Sequence, residues 1–252
     1  MQKFFEKSEI GFAIFWIVLY IVLSSVAEEV SNIIGVAKSI TCAVHILMSL
    51  VLLLWILKNK HTEYLGLCKS KVGAKYLLFY IPLVVMISTN LWFGVESVLG
   101  VLESILFVIS MLCVGFLEEI IFRGLLFRAM EKDSLKWAIA VTSLTFGIGH
   151  IINLISGNLS LLSGVCQIVY SFAAGFLFVI LFYKSGTLIP CIITHSVFNA
   201  LSVVFNNSAM TTTTEIILAG VLTVLSLGYA IITILLTKNK TKEEKTEIEK
   251  TL

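Results

Sequence analysis

Residues 104–127, SILFVISMLCVGFLEEIIFRGLLF, form the stretch of sequence that decides the fold. A membrane-spanning helix needs about 20 mostly apolar residues, and this stretch is long enough to cross a bilayer. Three charged residues, Glu118, Glu119 and Arg123, nevertheless interrupt it. Each charge costs about 2.5–3.5 kcal/mol at the centre of a membrane. The stretch therefore predicts a transmembrane helix whose charged residues are compensated by partners or used in chemistry.

The composition of the whole chain agrees with a membrane environment. Of its 252 residues, 58% are hydrophobic and 13% are charged, whereas soluble domains average about 45–50% and about 25%. Lys and Arg total 18 against 16 Asp and Glu, which leaves a net charge of only +2. This balance lacks the basic surface that nucleic-acid binding requires. We therefore expect the lipid bilayer, and no nucleic acid, as the surrounding partner.

Apolar runs divide the chain into eight predicted transmembrane helices, which makes the fold class an all-α polytopic membrane protein. The runs are residues 10–26, 39–57, 76–95, 104–127, 137–155, 161–183, 187–205 and 216–236. We predict one transmembrane helical domain, residues 1–237, followed by a charged cytoplasmic tail, residues 238–252. The first run exceeds the usual 7–15 apolar residues of a signal peptide, so we expect it to be retained as an anchor.

The basic residues predict the orientation, because Lys and Arg are retained on the cytoplasmic side of a membrane. All of them except Lys38 and Arg123 fall on segments that the eight predicted crossings place on the same side of the membrane. We therefore expect both termini in the cytoplasm. A small chain that shows no soluble domain is typical of a multi-pass protein of a bacterial plasma membrane.

Helical spacing separates the two glutamates of the fourth predicted helix. Glu119 precedes Arg123 by four residues, which favours an ion pair on one helix face. Glu118 points about 100° away from Glu119 and lacks that cation. A carboxylate without a cationic partner holds a proton more readily, so Glu118 is the better general base. His150 and the pair His195 and Asn199 lie on the fifth and seventh predicted helices. We expect a catalytic cluster on helices 4, 5 and 7.

Three motifs within residues 115–200 carry a resemblance to a known family. Residues 118–123 (EEIIFR), 146–150 (FGIGH) and 195–199 (HSVFN) resemble the E-E-x-x-x-R, F-x-x-x-H and H-x-x-x-N motifs of the CAAX prenyl protease and bacteriocin-processing (CPBP) family. This family consists of intramembrane peptidases. The resemblance implies an intramembrane endopeptidase of the type II CAAX prenyl endopeptidase kind.

The resemblance also implies a role for each motif residue. Glu118 would activate the water that attacks a peptide carbonyl, and His150 would help to hold that water. His195 and Asn199 would stabilise the oxyanion, while Glu119 and Arg123 would support the site. Peptide hydrolysis does require a base for water and donors for an oxyanion, so the chemistry of these residue types agrees.

Two interpretations of the cofactor stay open. We favour a mechanism without a cofactor, because the H-E-x-x-H arrangement of many zinc peptidases is absent. The alternative is a divalent metal such as zinc. Glu118, His150 and His195 could supply its three ligands and leave a fourth position open, as in catalytic zinc sites.

The expected substrates are membrane-anchored peptides, including prenylated CAAX tails and precursors of bacteriocins or peptide pheromones. A role in bacteriocin immunity is also typical of the family. The main alternative is a non-proteolytic membrane scaffold or immunity protein, in which the charges only fix helix packing. A proton-coupled transporter is the third alternative, but transporter-like inverted repeats are absent. His45, which lies in no motif, is expected to be a core histidine.

Overall fold

The computed structural model describes residues 1–155, 157 and 159–251, with the backbone alone for residues 239–251. The part of the chain that it describes is helical and has no β-strand, which confirms the predicted fold class. The α-helices are α1 (Gln2–Lys7), α2 (Glu9–Ile34), α3 (Ser39–Lys58), α4 (Ile81–Ser88), α5 (Val101–Glu118), α6 (Arg128–Glu131), α7 (Leu135–Gly149), α8 (Ile151–Ile155), α9 (Leu161–Ser185), α10 (Ile189–Leu201) and α11 (Thr212–Thr251).

Among the described residues, seven helical segments are long and apolar enough to cross a membrane. They are Glu9–Ile34, Ser39–Lys58, Ala74–Leu91, Val101–Glu131, Leu135–Ile155, Leu161–Ser185 and Thr212–Lys238. The eighth predicted helix, residues 187–205, coincides with a shorter apolar helical segment, Ile189–Val204. At about 1.5 Å per residue, this segment is shorter than the hydrocarbon thickness of about 30 Å. The polytopic character is thus established, while the number of eight crossings stays a prediction.

The third predicted helix, residues 76–95, differs from a continuous α-helix. The backbone forms a 3₁₀ segment at Ala74–Tyr80, then the short helix α4, then another 3₁₀ segment at Thr89–Leu91. Pro82 lies in the first turn of α4, the position where its missing N–H is tolerated. The apolar pattern predicted a membrane segment here, but hydropathy does not indicate where the backbone of a segment departs from an α-helix.

The fourth membrane segment changes its helical form at the charged motif. Helix α5 ends at Glu118, and residues Glu119–Phe127 continue as a π-helix before α6 begins. All nine residues of this π-helix are buried. π-Helical turns are rare and frequently occur at functional sites. The two adjacent glutamates therefore lie on opposite sides of a change in helical geometry.

Helices α5 and α10 cross in very close contact, and a glycine permits it. A Cβ atom on Gly115 would lie 2.5 Å from Cα of Ser196, so any larger side chain would separate the two helices. Ser196 directly follows His195 in the chain. The crossing therefore brings His195 close to the end of α5, where Glu118 lies.

Helix α11 extends past the predicted boundary between the membrane domain and the tail. It runs without a break from Thr212 to Thr251, whereas we placed the boundary between residues 237 and 238. The side chains of residues 239–252 lie outside the described part of the chain. The domain limits therefore stay a prediction.

Candidate active site

A fully buried ion pair forms the base of the site. Arg123 Nη1 donates to Glu119 Oε1 at 3.0 Å, and both side chains are 0% exposed. The ion pair predicted from the four-residue spacing is confirmed. Within the described chain, Nε and Nη2 of Arg123 have no hydrogen-bond partner. The Phe146 ring lies 3.9 Å from the guanidinium carbon, and this cation–π contact partly compensates the buried charge.

His195 connects the two glutamates. Its Nδ1 lies 2.8 Å from Oε1 of Glu119, and an ionised carboxylate can only accept a hydrogen bond. We therefore assign the Nδ1 proton to His195, which donates it to Glu119. The other ring nitrogen, Nε2, faces Oε2 of Glu118 at 3.8 Å. The sequence predicted His195 near Glu118, but its direct hydrogen bond goes to Glu119.

Glu118 occupies a different environment from Glu119. Its side chain is 13% exposed, whereas the side chain of Glu119 is 0% exposed. The hydroxyl of Tyr20 donates to Oε1 of Glu118 at 2.6 Å. Glu118 thus has a neutral donor on one oxygen and leaves its second oxygen directed toward His195. The free oxygen of Glu118 allows it to exchange a proton with a water molecule. Glu119, in contrast, already accepts hydrogen bonds from Arg123 and His195.

A cavity of about 70 Å³ lies beside these charges. Three predicted site residues, His150, His195 and Asn199, line it, but Glu118 does not. One water molecule needs about 10–15 Å³, so the cavity has room for a few. Met86 of α4 and Leu222 and Ser226 of α11 also line the cavity. His195 lines the cavity and also donates a hydrogen bond to Glu119.

Phe146 connects the histidines within the cavity. Its ring lies 5.4 Å from the ring of His150 and 5.6 Å from that of His195, both nearly edge to face. The same ring contacts Arg123. One aromatic side chain therefore orients both imidazoles and stabilises the buried cation. These contacts explain the role of the phenylalanine in the F-x-x-x-H motif.

The arrangement of these residues agrees with a comparison of the sequence with known families. Residues 100–201 match the family model described as type II CAAX prenyl endopeptidase Rce1-like. This segment is similar to the type II CAAX prenyl endopeptidases, and we call it the CAAX endopeptidase segment. The CAAX endopeptidase segment contains all six predicted site residues, Glu118, Glu119, Arg123, His150, His195 and Asn199. No curated protein and no solved structure matches the chain.

Several contacts come from outside the CAAX endopeptidase segment. Tyr20 of α2 contacts Glu118, and the cavity wall includes residues of α4 and α11. Sequence analysis did not identify Tyr20, because a tyrosine within an apolar membrane helix is most often a packing residue. Its spacing from Glu118 in the chain gives no signal, since 98 residues separate them.

His45 has the structural role that the sequence predicted. It is buried, its Nδ1 lies 2.9 Å from Ser110 Oγ, and its Nε2 lies 2.9 Å from Ser24 Oγ. Both ring nitrogens are thus engaged. The prediction of a core histidine is confirmed.

The proposed zinc ligands do not form a ligand set. Within the described residues, no group of three or more His, Cys, Asp or Glu side chains is arranged to hold a metal ion. Oε1 of Glu118 accepts from Tyr20, and Nδ1 of His195 donates to Glu119. These contacts leave Oε2 of Glu118 and Nε2 of His195 facing each other at 3.8 Å. Because the described residues form no such ligand group, we derive no catalytic step through a metal.

Proposed function

We propose that this protein is an intramembrane endopeptidase in which Glu118 activates a water molecule for attack on a peptide bond. The single observation that carries the proposal is the position of Glu118. One of its oxygens is held by Tyr20, and the other lies 3.8 Å from His195 Nε2. That separation exceeds a direct hydrogen bond and suits a water molecule that contacts both groups.

The proposed reaction begins with proton transfer from water to Glu118. The water oxygen forms a bond with the carbonyl carbon, and the carbonyl π electrons move onto its oxygen. His195 and Asn199 donate hydrogen bonds to the resulting oxyanion, while His150 helps to hold the attacking water. When the tetrahedral intermediate collapses, the C–N bond breaks and Glu118 returns its proton to the leaving amine. Atoms and charge then balance without a covalent enzyme intermediate.

The hydrogen bond between His195 and Glu119 sets a condition for oxyanion binding. With a proton on Nδ1, a neutral His195 has only a lone pair on Nε2 and cannot donate from that atom. His195 therefore has to carry a second proton when it stabilises the oxyanion. The buried Glu119 thus supports catalysis through His195.

The proposed substrates are peptides that the membrane itself presents. A few water molecules fit in the cavity, and the surrounding helices are apolar, which favours a lipid-anchored or membrane-embedded peptide. Prenylated CAAX tails and precursors of bacteriocins or peptide pheromones meet this description. We propose a bacterial plasma membrane with both termini in the cytoplasm as the location.

The test is Glu118→Gln in purified protein reconstituted into vesicles. The probes are a quenched fluorescent peptide with a farnesylated CAAX end and a panel of membrane-anchored precursor peptides analysed by mass spectrometry. General base catalysis contributes about 10²–10⁴-fold, so kcat should fall by that factor while the unfolding temperature stays unchanged. Glu103→Gln, on the same helix but bonded to Ala37 N and Gly100 N, is the matched control.

Full cleavage by the Glu118→Gln variant would contradict the proposed function. The same conclusion would follow if the wild-type protein cleaved none of the probes while still conferring bacteriocin immunity. A non-proteolytic scaffold or immunity protein would then account for the buried charges.

A further inference from the structure

Tyr20 approaches the proposed general base from a helix outside the CAAX endopeptidase segment. It lies on α2, the first membrane helix, and α2 packs against the π-helix that follows Glu118. Its hydroxyl donates to Oε1 of Glu118 at 2.6 Å. The contact joins the first and fourth membrane helices directly at the reacting carboxylate.

The hydrogen bond from Tyr20 distinguishes the two oxygens of Glu118. Oε1 is occupied by the tyrosine hydroxyl, and Oε2 remains directed toward Nε2 of His195 at 3.8 Å. Without the hydroxyl, the carboxylate is free to rotate about its terminal torsion, which has a broad and nearly two-fold energy profile. Fixing one oxygen therefore fixes the direction in which the other meets water.

The chemical character of Tyr20 also matters. A cation such as Arg123 would hold Glu118 just as firmly but would lower its affinity for a proton. Tyrosine supplies a single neutral donor at the pH of the cell. Glu118 is thus held by a neutral group, while the cation of the site pairs with Glu119 instead.

A second polar cluster holds Tyr20 in place. The ring of His45 lies 6.0 Å from the ring of Tyr20, with an angle of 33° between their planes. His45 is itself fixed by Ser24 and Ser110 through two contacts of 2.9 Å. His45 therefore packs beside the ring of Tyr20 and restricts its movement.

We propose that Tyr20 is a positioning residue that holds Glu118 in the orientation required for water activation. This inference rests on the proposed function, in which Glu118 is the general base. The competing explanation is that Tyr20 only joins α2 to the neighbouring helices. The two explanations differ in whether loss of the hydroxyl changes the reaction rate or the stability of the protein.

The test is Tyr20→Phe, which removes the hydroxyl and keeps the ring. The chain offers a matched control in Tyr64→Phe, because the Tyr64 hydroxyl donates to Oε2 of Glu9 at 2.7 Å, away from the site. Hydrogen bonds to charged groups correspond to about a 10- to 100-fold effect. Tyr20→Phe should lower kcat by that factor and leave KM unchanged. Tyr64→Phe should leave kcat within about twofold of the wild type.

A double variant separates the two proposals. If Tyr20 acts through Glu118, adding Tyr20→Phe to the Glu118→Gln protein should cause no further loss of residual cleavage, because effects within one unit are not additive. Wild-type kcat in Tyr20→Phe, together with inactive Glu118→Gln, would overturn the role of Tyr20 and leave the proposed function intact. Active Glu118→Gln would overturn the proposed function itself.

A loss of stability would overturn the positioning role as well. Thermal unfolding of Tyr20→Phe is compared with that of Tyr64→Phe in the same vesicles. If Tyr20→Phe unfolds at a much lower temperature and its KM rises along with the fall in kcat, Tyr20 is a structural link between helices. An unfolding temperature equal to that of the control, with a selective fall in kcat, supports the positioning role.

Discussion

Glu119 and His195 are joined across two helices by a hydrogen bond of 2.8 Å between Oε1 and Nδ1. The same carboxylate oxygen accepts from Arg123 at 3.0 Å. Glu119 thus neutralises a buried cation and orients an imidazole at once. Because its side chain is fully buried, it has no access to water and serves the site by holding its neighbours.

Glu119→Gln should therefore destabilise the protein far more than Glu118→Gln does. The amide cannot compensate the charge of Arg123, and a broken buried ion pair costs about 3–5 kcal/mol. We expect a large drop in the unfolding temperature, measured by thermal denaturation in detergent. A Glu119→Gln protein that stays as stable as the wild type while losing cleavage would show that Glu119 takes part in the chemistry.

Asn199→Ala should slow cleavage without disturbing the fold. Asn199 lines the cavity, and removal of one oxyanion donor typically lowers kcat by about 10²–10³-fold. The measurement is kcat with the most rapidly cleaved probe peptide. Ser196→Ala is the matched control, because its hydroxyl donates to Leu112 O at 3.0 Å and not into the site. Inactivation by Ser196→Ala, with the fold preserved, would indicate a serine nucleophile instead.

Gly115→Ala should separate α5 from α10. The added methyl group would lie 2.5 Å from Cα of Ser196, and overpacking of this kind costs about 1–3 kcal/mol. We expect a lower unfolding temperature and slower cleavage, since Glu118 would move away from His195. The control is Gly228→Ala on α11, where an added Cβ would meet no atom within 4 Å. Equal effects of the two substitutions would contradict this explanation.

Cleavage should persist in metal-free protein. Within the described residues, no group of three or more His, Cys, Asp or Glu side chains is arranged to hold a metal ion, and the proposed reaction requires none. We expect unchanged kcat after treatment with a chelator, with elemental analysis confirming that metal is absent. Loss of activity that returns on addition of zinc would establish the metal-dependent alternative.

The stability of the protein should fall in mildly acidic solution because of His61. Its ring lies 4.9 Å from that of Phe5 and 5.0 Å from that of Trp55. Burial lowers the pKa of His61 below its ordinary value of 6.5, although Glu9 and Glu6 oppose the shift. A lowered pKa in the folded state favours the neutral ring, so its contribution to stability is present above 6.5 and is lost as the pH falls further.

The measurement is the unfolding temperature at about pH 7.5 and about pH 5. His61→Gln cannot be protonated and should show a smaller difference between the two conditions than the wild type. If both proteins respond equally to acid, other groups cause the loss of stability.

Local periodicity explains what could be predicted from the sequence. The ion pair of Glu119 with Arg123 follows from four-residue spacing on one helix, and the membrane segments follow from apolar runs. The expectation that His150, His195 and Asn199 meet came from polar residues within the fifth and seventh predicted helices and from the three motifs. The structure brings these three side chains to one cavity.

Long-range packing explains what could not be predicted. His195 hydrogen-bonds to Glu119 and lies 3.8 Å from Glu118, and the spacing of the motifs does not distinguish the two adjacent glutamates as its partner. Tyr20 was missed because its contact depends on the packing of α2 against a distant segment. The backbone break before α4 falls at Leu77, Leu78 and Phe79, which are three apolar residues. Hydropathy and spacing contain no information on these features.

The residues that line the cavity have a practical consequence for protein engineering. Met86 precedes residues 100–201 in the chain, and Leu222 and Ser226 follow them. A gene fragment trimmed to the boundaries of the family match would encode the six predicted site residues but would lack part of the cavity lining. Truncated or split versions of this protein should therefore retain α4 and α11.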